Sequence, residues 1–232
     1  MTKDVPLRLV EPDIYSVYSP GEMPGSYDRF GASTIYDLVA CNGFYNWLMW
    51  GYSIKDYTTL CENALSSSSE GWVLDMACGS LAFSAKLYAN YSKRPVVLLD
   101  QSLHLLRKGK SRLVKRTGKM PANMIFLHAN ALQMPFKGES FSTIISLNLL
   151  HCLDDIKTVL KELKRVLTAD GTAALTTLVM STTRWSDSYL SMLARSGAVV
   201  ARSADHLLST FDDLDMSVKH QIRGNLAFIT YR

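Results

Sequence analysis

The stretch that most constrains the fold is residues 72–87, WVLDMACGSLAFSAKL, an apolar run that reaches an acidic residue, breaks into small residues and then takes up helical spacing. That order predicts a strand, a tight turn and a helix. Val73, Leu74 and Met76 suit a strand buried on both faces, as in a parallel sheet covered by helices. Ala77, Gly79 and Ser80 let the backbone approach a ligand closely, and the helix begun around Phe83 and Leu87 turns its N-terminal amides toward the same space. In open α/β sheets, ligands bind at such turns.

Strands and helices keep alternating after the turn. Residues 95–100, PVVLLD, read as a second buried strand ending in a carboxylate, with Ser102 capping the next helix. Residues 123–129 and 141–147 are the third and fourth strands. Asp154 or Asp155 then starts a helix with Ile156, Val159, Leu160, Leu163, Val166 and Leu167 on one face, which the Asp170-Gly171 pair is expected to end. Residues 172–178 form a fifth strand, residues 185–195 and 204–208 read as helical, and residues 216–222 and 226–231 as a hairpin turned at Arg223-Gly224-Asn225. The architecture expected is α/β and Rossmann-like: a seven-stranded, mostly parallel sheet with a C-terminal antiparallel hairpin and an N-terminal helical cap.

With 232 residues and 47% hydrophobic content, the chain can bury one good core. It divides into a loosely held arm over residues 1–24, a helical cap or lid over 25–65, and the main domain over 71–232. The cap is dense in aromatic residues at helical spacings, which suits helices that pack on the main domain, a lid that covers a ligand, or both. A net charge of +4 is too small to imply nucleic acid, and none is expected as a partner. Arg107, Lys108, Lys110, Arg112, Lys115, Arg116 and Lys119 read as a solvated helix face, since no aromatic residues interleave. Cys41, Cys61, Cys78 and Cys152 are scattered without metal-type spacing, so reduced thiols in a cytoplasmic protein, with no metal, are expected. No apolar run reaches the roughly 20 residues of a membrane span, and residues 1–12 lack the apolar centre of a signal peptide.

Asp75 lies inside the first strand, Asp100 ends the second and Asn130 follows the third. A switch point brings all three strand ends to one crevice. A carboxylate ending the second strand suits the vicinal hydroxyls of a ribose, because each oxygen can accept one hydrogen bond. An amide at Asn130 could pair with a purine edge, with Ala131 leaving room for the ring.

These residues resemble the class I S-adenosylmethionine-dependent methyltransferases, in particular the small-molecule branch that includes the quinone-biosynthesis C-methyltransferases. VLDMACGS is similar to the first motif of that family, VVLLDQS to its ribose-binding acidic motif, and NALQMPF to the stretch that usually has Asp where Asn130 stands. FSTIISLNLLHCL resembles the fourth-strand motif, LKRVLTADG the following helix-to-strand signature, and YDLVACNGFYNWLMWG the N-terminal helix of the quinone branch. The resemblance implies S-adenosylmethionine as cofactor and a small, apolar or aromatic methyl acceptor, with homodimerisation left open. It implies Asp75, Ala77, Gly79 and Ser80 along the methionine portion, Asp100 and Gln101 on the ribose and adenine, Asn130 and Ala131 on the adenine, and the backbone of Leu147 under the sulfonium. Tyr27, Arg29 and Tyr36 would close over the cofactor's carboxylate, Arg29 as a bidentate partner. Trp47, Trp50, Tyr52 and Trp185 would form substrate walls. His151 is the candidate general base, the alternative being a histidine packed beneath the site.

Two departures bear on this site. Ala77 and Leu81 replace the outer two of three glycines, and Leu81 is expected to crowd the methionine portion; Asn130 in place of Asp adds donors where an acceptor is usual. Two other classes therefore stand beside the first. Ala77-x-Gly79-x-x-Ala82 with Asp100 downstream also fits a loose nicotinamide-dinucleotide turn of an oxidoreductase. A non-catalytic methyltransferase-like scaffold, binding a partner through its aromatic N-terminal helices, is the third, with Leu81 as its main support.

Overall fold

The computed structural model describes residues 5–22, 53–67, 70–91, 93–180 and 186–232. The described strands are β1 (Arg8–Glu11), β2 (Ile14–Ser16), β3 (Val73–Met76), β4 (Val96–Asp100), β5 (Met124–His128), β6 (Phe141–Leu147), β7 (Leu167–Leu178), β8 (Val218–Arg223) and β9 (Leu226–Tyr231). The helices are α1 (Ile54–Ser66), α2 (Ala85–Ala89), α3 (Leu103–Thr117), α4 (Ile156–Val166), α5 (Ser186–Arg195) and α6 (Ala204–Asp212). All nine strands join one sheet in the order β1-β2-β5-β4-β3-β6-β7-β9-β8. Strands β2, β5, β4, β3, β6 and β7 run parallel, while β1, β8 and β9 pair antiparallel with their neighbours.

Side chains along the central strands alternate between the two faces, as the period of two requires. Leu74, Met76, Val97 and Leu99 share one core with Val159, Leu160 and Leu163 of α4 and Phe211 of α6. Val73, Val96, Leu98 and Phe126 share the other with Cys61 of α1, Ala85 and Tyr88 near α2, and Leu106 and Leu113 of α3. Leu98 and Leu99 are fully buried on opposite faces; each such leucine contributes about 2 kcal/mol relative to exposure. A sheet covered twice is what makes β3 and β4 continuously apolar up to their carboxylates.

The sheet has nine strands where seven are expected, and both extra strands lie in the arm. β1 and β2 form a short hairpin, and β2 adds in parallel to the edge of β5, with Ile14 opposite Phe126 and Ser16 opposite His128. Helix α3 holds the hairpin: Arg107 pairs with Glu11 at 2.6 Å and Lys110 with Asp13 at 3.4 Å. Two cations of the supposed solvated face are thus used inside the molecule. Asp155 is the cap of α4, accepting from the Thr158 amide at 3.0 Å. That helix ends at Val166, ahead of Asp170-Gly171, because Leu167 pairs with Phe141 and pulls the backbone into β7; the ladder resumes at Thr172 opposite Thr143. No helix among the described residues is long and apolar enough to cross a membrane.

Candidate active site

β4 and β6 flank β3 on opposite sides, so the chain reverses its direction across the sheet there and leaves a crevice at the carboxyl ends. The turn leaving β3 is left-handed at Ala77 (φ 59°), Gly79 (φ 54°) and Leu81 (φ 56°). Three anchors fix it. The Cys78 amide donates to the Leu99 carbonyl at 2.8 Å, the Gly79 amide donates to Asp100 Oδ2 at 2.8 Å, and Arg112 of α3 donates to the carbonyl and hydroxyl of Ser80 at 2.6 and 2.9 Å. A Cβ added at Gly79 would meet no protein atom, so the backbone is bare on that side.

The crevice holds about 1110 Å³ of space, part of it open to solvent. Asp75, Ala77, Gly79 and Ser80 line it from the turn, Asp100 and Gln101 from the end of β4, Asn130 and Ala131 from beyond β5, and Leu147 from the end of β6. Nine residues singled out from the sequence thus meet in one cavity. Phe83, Asn148, Leu149, Cys152 and Leu153 line it as well and were not singled out. Tyr27, Arg29, Tyr36, Trp47, Trp50, Tyr52 and Trp185 lie outside the described residues.

The two acidic residues differ in environment. Asp100, 7% exposed, accepts one backbone amide on each oxygen, from Gly79 and from Ser102, both at 2.8 Å. Asp75 is 1% exposed, and burial pushes its carboxyl up to about 7 against the hydroxyls of Tyr88 and Ser84, which pull it down. Ser84 donates to it at 3.3 Å, whereas the Tyr88 hydroxyl makes no hydrogen bond of good geometry among the described residues. Asn130 turns its Oδ1 inward to the Leu132 amide at 2.9 Å, which leaves its amide N–H groups as what it offers to a ligand.

Leu81 does not crowd the cavity. It is fully buried and packs in the core under α3, where Gly109 leaves room for it. Its left-handed φ of 56° aims the side chain away from the ligand space, so the main support for a blocked, non-catalytic scaffold is gone.

His151 is 3% exposed and is not among the residues that line the cavity. Its Nδ1 accepts from the Leu178 amide at 3.2 Å and lies 3.2 Å from the Thr177 hydroxyl. Because a backbone amide can only donate, the neutral ring carries its proton on Nε2, and its lone pair is spent on the scaffold. Burial and the Arg202 charge hold it down at about 4. Its placement is that of a histidine packed beneath the site.

The end of the cavity beyond β6 carries a polar group that pattern reading missed. Asn148 follows β6 in the left-handed region, φ 63°, which Asn tolerates better than most residues. Its amide donates to the Tyr57 hydroxyl at 2.8 Å, and its Oδ1 accepts from that hydroxyl at 3.1 Å and from Thr176 at 3.3 Å. Tyr57, from α1, is fully buried and stacks on Phe83 with ring centroids 4.5 Å apart.

Comparison with known proteins agrees with this geometry. Residues 73–171 match the methyltransferase domain family. Among curated relatives, the malonyl-[acyl-carrier protein] O-methyltransferase of Legionella pneumophila is 29% identical over 106 residues, 46% of this chain and 36% of that one. The protein of the same name from Hamiltonella defensa is 31% identical over 111 residues, 48% of this chain and 39% of that one. The chain thus spans little more than a third of the length of either. Among solved structures, geranyl diphosphate C-methyltransferase from Streptomyces coelicolor, in complex with S-adenosyl-L-homocysteine, superposes with a TM-score of 0.62 at 12% identity, over 77% of this chain and 76% of that one. The YcgJ protein of Bacillus subtilis does so with a TM-score of 0.57 at 20% identity, over 71% and 70%. These matches do not single out the quinone branch. The family match, the fold and the converged cavity agree in making residues 73–171 a methyltransferase domain.

Proposed function

We propose that the protein binds S-adenosylmethionine in the cavity at the carboxyl ends of β3 and β4 and transfers its methyl group to a small acceptor with an apolar or aromatic body. The observation that carries this reading is the meeting of Asp75, the bare turn at Gly79, Asp100 and Asn130 in one cavity. The donor set suits the cofactor. Asp100 takes the ribose hydroxyls, the Asn130 amide donates to the ring nitrogens of adenine, and the turn at residues 77–80 lies along the methionine portion. Asp75, once ionised, faces the cofactor's ammonium group.

When bound, the cofactor supplies a methyl group already activated by its sulfonium. The protein has then to exclude water and hold the acceptor in line at roughly 3 Å. Leu147 and Asn148 form the floor at that end, and Phe83, Leu149 and Leu153 supply apolar walls for the acceptor. With His151 turned to the scaffold, the reading favours an acceptor atom that is already ionised or carries a neutral lone pair.

The test is calorimetric titration with S-adenosylhomocysteine and, separately, NADH. Micromolar binding of the first, lost in Asp100→Ala, with no binding of the second, is the expected result. Binding of NADH without S-adenosylhomocysteine would move the protein to the oxidoreductases.

A further inference from the structure

The segment leaving β6 sets one side-chain amide against the cavity and leaves one of its groups unused. Asn148 is half-buried and lines the cavity beside Leu147. The Tyr57 hydroxyl lies against the edge of that amide, donating to Oδ1 at 3.1 Å and accepting from Nδ2 at 2.8 Å. The Thr176 hydroxyl accepts the Asn148 backbone amide at 3.1 Å and donates to Oδ1 at 3.3 Å. Both lone pairs of Oδ1 are thus filled, and one of the two N–H groups of Nδ2 is taken. The second N–H has no partner among the described residues, so Asn148 meets a ligand as a donor only. Tyr57 and Thr176 are themselves fully buried, so the donor is held in place before a ligand arrives and loses little freedom on binding.

The surroundings narrow what this donor can take. Phe83, Leu149 and Leu153 line the cavity near it, and the Cys152 thiol donates to the Asn148 carbonyl oxygen at 3.6 Å. No carboxylate, imidazole or amine lines the cavity beyond β6 among the described residues. An ammonium can only donate, so in this place it would leave the N–H unpaired and its own charge unmatched. A carboxylate accepts the N–H, and the sulfonium of the bound cofactor matches its charge.

We propose that Asn148 is a specificity-determining residue that donates its remaining N–H to one oxygen of a carboxylate, the methyl acceptor being a carboxylic acid with an apolar body. The inference rests on the functional reading above and deepens it by naming the class of acceptor. While one oxygen is held, the other attacks. The new O–CH3 bond forms as the S–CH3 bond breaks, the electron pair of the broken bond goes to sulfur, and the carboxylate and sulfonium charges cancel. No proton has to be removed, which agrees with a His151 bonded to the scaffold.

The experiment measures binding of matched probes to the protein loaded with S-adenosylhomocysteine: hexanoate against hexylamine, and 3-phenylpropanoate against 3-phenylpropylamine. Wild type is compared with Asn148→Asp, which tolerates the left-handed backbone and accepts from Tyr57 and Thr176 but replaces the donor by an acceptor. Wild type should bind at least one carboxylate about tenfold or more tightly than its amine, and Asn148→Asp should reverse that order. Asn148→Gly is the second variant, in case the aspartate does not fold; it should bind the carboxylate about tenfold more weakly and the amine as wild type does. A wild type that binds neither carboxylate, or that prefers the amines, overturns the assignment. So does a preference for carboxylates that survives in the folded variants, which would place the selectivity elsewhere. A wild type that does not bind S-adenosylhomocysteine overturns the functional reading itself.

Discussion

Leu81 and Gly109 are complementary: a Cβ on Gly109 would lie 3.2 Å from Leu81 Cγ and 3.3 Å from the Gly79 carbonyl oxygen. A leucine in the turn after β3 is thus matched by a glycine in α3, and its side chain is accommodated in the core.

The pair should behave as a coupled unit. Leu81→Gly empties a buried site at a cost of about 2–5 kcal/mol, and relief of its left-handed backbone returns about 1–2 kcal/mol. Gly109→Ala in the wild type overpacks the turn by about 1–3 kcal/mol against a helix gain of about 1 kcal/mol. In the Leu81→Gly background the clash with the leucine is gone and the helix gain remains. Urea denaturation of the four proteins should give a favourable coupling of about 1 kcal/mol or more. Additivity within about 0.5 kcal/mol would show that the two residues do not sense each other.

Asp75 should leave a signature in the pH dependence of stability. Its folded carboxyl sits at about 7 against an ordinary 3.8, so the folded state binds the extra proton between those values. The stability this gives is full below about pH 4 and is lost as the pH rises through 7. The gap corresponds to about 4 kcal/mol. His151 works in the opposite direction, its stability being present above 6.5 and lost as the pH falls through about 4. The two limbs oppose each other in the wild type. Asp75→Asn removes one of them, so its stability relative to wild type should climb by a few kcal/mol between pH 4 and pH 8. A difference that stays flat over that window means Asp75 titrates in the folded protein as it does in the unfolded chain.

For His151 the expected outcome is a variant that loses stability but keeps its chemistry. His151→Gln, which keeps an acceptor for the Leu178 amide, should cost about 1–2 kcal/mol through imperfect packing. Once an acceptor is known, its methylation should show the wild-type pH profile above pH 5. A profile that loses an ionisation near neutrality would restore His151 as a base.

How much of this was legible in the sequence follows from how local each signal is. Asp75 and Asp100 could be read because a carboxylate interrupting or ending a buried strand is a local contradiction that needs a partner, here the Ser84 hydroxyl for Asp75 and the Gly79 and Ser102 amides for Asp100. The succession of the central strands along the chain followed from their apolar runs. β1 and β2 could not be read: they are four and three residues long, and β1 is largely exposed, so neither shows an alternation long enough to recognise. The fate of Leu81 depends on Gly109, 28 positions later, and that of His151 on a bond to Leu178 on a neighbouring strand. Both are tertiary facts with no trace in local spacing. Asn148 carried a weak signal, an asparagine directly after a strand, but its partner Tyr57 lies 91 positions away.

That partnership is the last point open to test. Asn148 pays for a left-handed backbone with bonds to Tyr57 and Thr176, so its side chain and its conformation are linked. Asn148→Ala loses the bonds and keeps the strain, while Asn148→Gly loses the bonds and relieves it, so the glycine variant should be the more stable by about 1 kcal/mol. Tyr57→Phe keeps the stack on Phe83 and removes only the hydroxyl, at a cost of about 1–2 kcal/mol in the wild type. In the Asn148→Gly background that hydroxyl has lost this amide partner, so the same change should cost measurably less. An equal cost in both backgrounds, measured by urea denaturation, would mean the hydroxyl is held by something other than Asn148, and the polar floor beyond β6 would have to be assigned to another residue.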